Sequence, residues 1–213
     1  MTISGLTESE LPAMIAAERR DLARVLTDLP GPAWDADTLC AGWRVRAVVA
    51  HMTMPFRYSA ARFAAEFARS GGRFNAMSDR VARRDAAAIP AADLLAALRD
   101  NATNPWQPPG GGYIGALTHD VIHGLDFTVP LGTGRAVPED RLRAVLDAIA
   151  APKARKHFGT DLEGVELRAE DIDWVSGSGQ PLSGAAQDLA LVLCGRKLPP
   201  GRLHGEPAAR FTG

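Results

Sequence analysis

Apolar residues recur at helical spacing along most of this chain, in runs that proline and glycine cut to a few turns each. Near Val165 the period drops to two. That succession restricts the fold to a helical bundle followed by a small mixed piece. The first run places Leu11, Met14, Ile15, Leu22, Val25 and Leu26 on one face. Thr7 and Glu10 precede it with capping-box spacing, and Pro30-Gly31-Pro32 stops it. A loop from Gly31 to Gly42 carries Trp34, Thr38 and Cys40, with Trp43 just beyond. A second helix is expected from about Val45 to Ser70, on the stripe Val45, Val48, Val49, Met52, Phe56, Phe63 and Phe67, ended by Gly71-Gly72.

A weaker helical stretch follows Ser78. Pro90 then opens a helix through Leu94, Leu95 and Leu98, and the prolines between Asn104 and Gly112 mark a loop. Further helices are expected over Tyr113 to Val129 and from Pro138 through Ile149. The basic segment Lys153 to His157 reads as a linker. Beyond it Val165, Leu167 and Ala169 alternate with charged residues as in a strand, Ile172 and Trp174 continue the alternation, and Gly177-Ser178-Gly179 makes a turn. Ala185 to Leu193 reads as a helix with Gly195 at its end, and the tail has room for one short strand. The fold class is therefore mostly α, with a bundle over residues 1–153 and a small C-terminal α/β domain over residues 154–213.

Composition narrows the function. Apolar residues make up 46% and charged residues 23%, as in ordinary globular proteins, and the formal charge of −1 offers no footprint for nucleic acid or an anionic membrane. Arg19-Arg20 and Arg83-Arg84 read as solvated helix faces. The opening MTISGLTESE has no basic or apolar region of the secretory type, and no stretch is apolar for long enough to cross a bilayer. Cys40 and Cys194 suggest no disulfide framework, so a cytoplasmic location is the default expectation. The excess of arginine over lysine reflects a GC-rich host rather than a chemistry.

Two of five histidines carry the strongest chemical signal. His119 and His123 stand four apart on one helix, which stacks their side chains with Cβ atoms about 5–6 Å apart. Metal–nitrogen bonds of about 2.0–2.1 Å let such a pair share one ion. The pair points away from the stripe Ile114, Leu117, Val121 and Leu125, onto a face with Gly115, Ala116 and Asp126. Simple exposure to solvent is the alternative. His51, beside the apolar stripe of the second helix, is the natural third ligand, although a lone histidine there is more often a core residue. Three imidazoles would leave a coordination position open, as in catalytic zinc sites; nickel and iron also suit imidazole. Asp120 and Asp126 are candidates to orient the rings. His157 and His204 are poor ligands by position. Cys40 would be nucleophilic only if a neighbouring charge lowered its pKa, and an inert thiol is the simpler reading.

The run Trp34-Asp35, then Thr38-Leu39-Cys40-Ala41-Gly42-Trp43-Arg44-Val45-Arg46-Ala47-Val48-Val49-Ala50-His51, resembles the N-terminal signature of mycothiol-dependent maleylpyruvate isomerase-like proteins. These belong to the DinB/YfiT-like superfamily of metal-binding four-helix bundles. HDVIHGLDF, from His119 to Phe127, resembles that family's second metal motif. Val165 to Arg196, with Asp173-Trp174, Gly177-Ser178-Gly179 and Leu193-Cys194-Gly195-Arg196, resembles its appended small domain.

The resemblance implies a DinB-like four-helix bundle, metal ligation by His51, His119 and His123, and zinc or another divalent metal. It further implies mycothiol, the actinobacterial thiol, as cosubstrate. A metal-bound thiolate would add to an electrophilic carbon. In an isomerase the adduct turns about the former double bond and releases the thiol; in a transferase the adduct is the product. It also implies a cationic partner from the small domain, for which Arg196 is the candidate; a helix C-terminal charge is the alternative role for that residue. Two positions depart from the family pattern: His119 stands where the isomerase branch usually has glutamate, and Ala47 where an acidic residue is common. With three neutral ligands the site charge is +2 rather than +1, which favours a bound anion more strongly. A metal- or partner-binding bundle without catalysis and a metal-dependent hydrolase are the alternatives.

Overall fold

Residues 8–213 are described in a computed structural model; Thr7 of the expected capping box lies outside the described residues. Helix α1 (Leu11–Asp28) buries Leu11, Ile15, Leu22 and Leu26. It is followed by α2 (Val45–Arg57), α3 (Ala60–Arg69), α4 (Phe74–Ala88), α5 (Ala91–Asp100) and α6 (Gly112–Thr128). Helices α1, α2, α5 and α6 pack in a closed ring, α1 on α6, α6 on α2, α2 on α5 and α5 on α1, which is the four-helix bundle; α4 lies against α2. Leu22, Leu26, Val48, Val49, Leu94, Leu98 and Phe127 meet in its interior. Each such side chain, fully buried, stabilises the fold by roughly 1.5–3 kcal/mol. Gly124 lets α1 approach α6 closely, since a Cβ there would lie 2.6 Å from Leu22 Cδ2.

Helix α7 (Glu139–Ala150) packs on α6 and leads through α8 (Pro152–Phe158) into a four-stranded sheet. Strands β1 (Val165–Ala169), β2 (Val175–Gly177), β3 (Gln180–Gly184) and β4 (Leu203–His204) lie in the order β2-β1-β3-β4. β1 pairs antiparallel with β2 and parallel with β3, Leu167 opposite Leu182, and β4 closes the edge antiparallel to β3. Helix α9 (Ala186–Leu193) covers the sheet and rests on α6 and α7, so one apolar cluster joins Leu117, Val121, Val145 and Leu146 to Leu167, Leu182 and Leu189. No helix among the described residues is long and apolar enough to cross a membrane.

Four expectations need correction. The helix expected over Val45 to Ser70 is two helices. Pro55 supplies no N–H to the last turn of α2, Tyr58 turns extended, and Ser59 Oγ caps α3 by accepting Arg62 N–H at 3.2 Å. Helix α4 begins at Phe74, before Ser78. The linker Lys153–His157 is helical, opened by Pro152 in its first turn and ended by Gly159 at φ 67°. Arg19 is no solvated charge: it is fully buried, while Arg20 is exposed.

Candidate metal centre

Helices α2 and α6 bring the three expected histidines together. One ring nitrogen from each of His51, His119 and His123 lies within 4.8 Å of the other two. The ring centroids are 4.8–5.0 Å apart in every pairing. The four-residue spacing on α6 stacks two of the rings, and α2 crosses so that His51 completes the triangle. The face bearing the pair turns inward, leaving side-chain exposures of 14% and 15% for His119 and His123. His157 and His204 are exposed, and no contact joins them to the centre.

Two rings are fixed from behind. His119 Nδ1 lies 2.9 Å from Asp120 Oδ1, and His123 Nδ1 lies 3.0 Å from Asp126 Oδ2. Carboxylates only accept, so both Nδ1 atoms carry the proton, and in the neutral ring each Nε2 presents its lone pair. Each carboxylate is held in turn by an arginine. Arg19 Nε donates to Asp120 Oδ2 at 2.7 Å, with both side chains buried. Arg196 grips Asp126 bidentately at 2.7 and 2.9 Å. Burial works against ionisation of Asp126, but Arg196 and His123 outweigh it and hold its pKa below the ordinary carboxylate value.

The sequence aims these arms by local geometry. Gly195, at φ 76°, ends α9 in a Schellman turn with Gly195 N–H to Val192 O at 2.9 Å and Arg196 N–H to Leu191 O at 3.0 Å, turning Arg196 toward α6. Arg196 also donates to the Cys194 carbonyl at 3.2 Å, so every guanidinium nitrogen has an acceptor. The residue expected as a cationic partner thus sits behind His123 with the Asp126 carboxylate between them. Arg19 also reaches the carbonyl of Asn104 at 2.7 Å, fastening the segment that leads to Trp106, whose ring meets His119 edge-on at 5.2 Å.

Burial and the nearness of His123 and His119 push the His51 pKa well below the usual histidine range, so that ring is neutral. His123 is likewise lowered, first by burial. His119 Nε2 and His51 Nε2 lie 3.1 Å apart, and His51 Nδ1 is buried with no partner among the described residues. Three imidazoles facing one point fit a divalent metal. Tetrahedral ligand nitrogens at zinc-type bond lengths stand about 3.3 Å apart, close to the His51–His119 separation. Burial first, then Asp126, pushes the Cys40 thiol up to about 11, which works against a nucleophilic role.

Sequence reasoning missed Arg19 and the tryptophans. Arg19 follows Ile15 by four residues, on the stripe that buries Leu22 and Leu26, and that placement was the available signal. The indole of Trp43 has no such signature; nothing in spacing alone tells a core tryptophan from one facing a site.

Residues 15–104 match the family model of the mycothiol maleylpyruvate isomerase N-terminal domain. No curated protein matches the sequence. The fold resembles a crystal structure of the mycothiol-dependent maleylpyruvate isomerase, with TM-score 0.54, 16% identity, and coverage of 98% of this chain and 96% of that one. A histidine-to-alanine mutant of that isomerase aligns with TM-score 0.53 at the same identity and coverage. Residues 15–104 therefore carry the likeness to the mycothiol maleylpyruvate isomerase N-terminal domain, and the chain shares the isomerase's fold over 98% of its length.

Proposed function

We propose that this protein is a metal-dependent, thiol-using enzyme of the mycothiol-dependent maleylpyruvate isomerase type. It joins the sulfur of a low-molecular-weight thiol to an electrophilic carbon of a small substrate, by isomerisation or S-transfer. The observation that carries this reading is the convergence of three imidazoles from α2 and α6, two of them backed by carboxylate–arginine pairs. His51, His119 and His123 would hold the metal, which we take to be zinc. When bound, such an ion supplies Lewis acidity that lowers the pKa of a thiol or of water.

The protein's own residues prepare that chemistry in three ways. Asp120 and Asp126 lock the tautomer and direction of two rings, so lone pairs face inward without reorganisation. Neutral donors leave the positive charge of an ion uncompensated, and an anionic thiolate gains from it. Trp43 and Trp106 wall the centre with aromatic surface, Trp43 against His51 and Trp106 edge-on to His119. Arg196 acts in this scheme as a positioning residue that holds Asp126 behind His123. A cytoplasmic location is part of the same proposal, supported by the two free thiols.

The test is turnover of zinc-reconstituted protein with mycothiol and a maleyl substrate or a chlorodinitrobenzene-type acceptor, with and without chelator. Chelator-sensitive consumption of the electrophile is expected. Turnover indifferent to chelator would end the metal–thiol reading, and bound metal with no turnover would make this a binding module.

A further inference from the structure

The three rings of the centre are braced unequally. Asp120 and Arg19 stand behind His119, and Asp126 and Arg196 behind His123, whereas His51 Nδ1 has no hydrogen-bond partner among the described residues. An imidazole without such a bond is free to swivel about its Cβ–Cγ axis unless packing prevents it. What packs against His51 is Trp43, ring centroids 5.1 Å apart and planes tilted by 56°. The same indole lies nearly parallel to His123, at 6.3 Å and 24°.

Trp43 is itself anchored at both ends. Its Nε1 donates to Asp79 Oδ1 at 2.7 Å, and Arg83 Nε donates to the same oxygen at 2.8 Å. The indole hydrogen bond is the chief cause holding Asp79 below the ordinary carboxylate range, as expected for a charge-assisted bond. On the backbone side, the Trp43 carbonyl accepts Thr38 N–H at 3.2 Å and Thr38 Oγ1–H at 2.8 Å. Leu39 N–H of the same loop donates to the Asp126 carbonyl at 2.9 Å, on the residue whose carboxylate holds His123. A buried indole N–H finds a partner in most folds; what sets Trp43 apart is that the ring so anchored lies against both His51 and His123.

We propose that Trp43, anchored by Asp79 and Arg83, is the positioning residue of His51. It does by aromatic contact what the two carboxylate–arginine pairs do for the other rings, and the assignment rests on the reading of those rings as a metal centre. Each of the three rings then traces outward to an arginine-held carboxylate: Asp120 with Arg19, Asp126 with Arg196, and, through the indole, Asp79 with Arg83. Restricting His51 keeps its Nε2 turned to the centre before any ion arrives, so less ordering remains to be done on binding.

The test is metal affinity and cobalt spectroscopy on full-length Trp43→Leu, Trp43→Phe and Asp79→Ala. Trp174 serves as a control, because it makes a similar bond, Nε1 to Asp147 at 3.0 Å, in the other apolar cluster. For Trp43→Leu the Kd for cobalt and zinc, read by competition with a chromophoric chelator, is expected to rise about 10–100-fold, with altered visible bands of the bound cobalt. Trp43→Phe, which keeps a ring against His51 but loses the bond to Asp79, recovers the affinity only in part, and Trp174→Leu leaves it unchanged. A folded Trp43→Leu protein with wild-type affinity and cobalt bands would overturn the assignment, as would an equal loss in Trp174→Leu. Should Trp43→Leu fail to fold, Asp79→Ala decides in the same way, at a position that is half-exposed. Wild-type protein that takes up neither metal would instead refute the functional proposal, and this assignment with it.

Discussion

Replacing Arg19 with methionine removes the arginine that pairs with Asp120 and keeps most of the volume of the side chain. Both partners are buried, at 0% and 1% exposure, so water cannot take over. Removing one member of such a pair costs about 3–5 kcal/mol, because the other is left charged in a poor solvent. In a chain of this size each kcal/mol is worth about 2–4 °C, so metal-free Arg19→Met should melt about 6–20 °C lower. Removing the second charge as well, in Arg19→Met with Asp120→Leu, should return the melting temperature to within a few degrees of the wild type. Metal affinity should behave differently. In the double variant His119 Nδ1 has lost its acceptor, so affinity should stay about 10–100-fold down although stability has recovered. Calorimetry of the metal-free proteins and chelator competition on the metal-loaded ones separate the two effects. A fall of less than about 3 °C in the single variant, or a double variant less stable than the single, would refute the buried-pair reasoning.

Other outcomes follow from the same geometry. Asp126→Ala should lower metal affinity about 10–100-fold by freeing His123, and Arg196→Gln should do so more weakly, since Asp126 still accepts from His123; isothermal titration checks both. Cys40, pushed up to about 11, should react with iodoacetamide at pH 8 roughly a hundredfold more slowly than a free thiol. A raised thiol pKa means that the native state holds its proton longer. Its contribution is therefore complete below the unfolded value near 9 and is lost as pH climbs toward 11, and Cys40→Ala should flatten the stability profile over that window. Gly124→Ala should destabilise by about 1–3 kcal/mol, because its Cβ meets Leu22, and adding Leu22→Val should recover part of the loss in chemical denaturation.

The sequence made the histidine pair visible because helical spacing is rigid: two residues four apart must share a face whatever the rest of the chain does. His51 could be added because its helix was equally clear, but only the crossing of α2 over α6 brings its ring to the pair. The arms behind the rings were legible in part. Asp120 and Asp126 lie close in sequence to the rings they hold, whereas Arg19 and Arg196 reach them from 101 and 70 positions away. Such pairings depend on tertiary packing that periodicity does not encode. The break between α2 and α3 shows a limit of another kind. Apolar spacing runs through Tyr58 and Ser59 unchanged, while the missing N–H of Pro55 and the cap offered by Ser59 divide the helix.

X-ray absorption at the zinc edge of the reconstituted protein examines the convergence of His51, His119 and His123 without reference to any substrate. We expect one ion per chain with three imidazole nitrogens at about 2.0–2.1 Å and one further light ligand, and loss of that shell in His51→Ala. A shell of carboxylate or water oxygens alone, or a spectrum unchanged by His51→Ala, would contradict a metal centre at these three histidines.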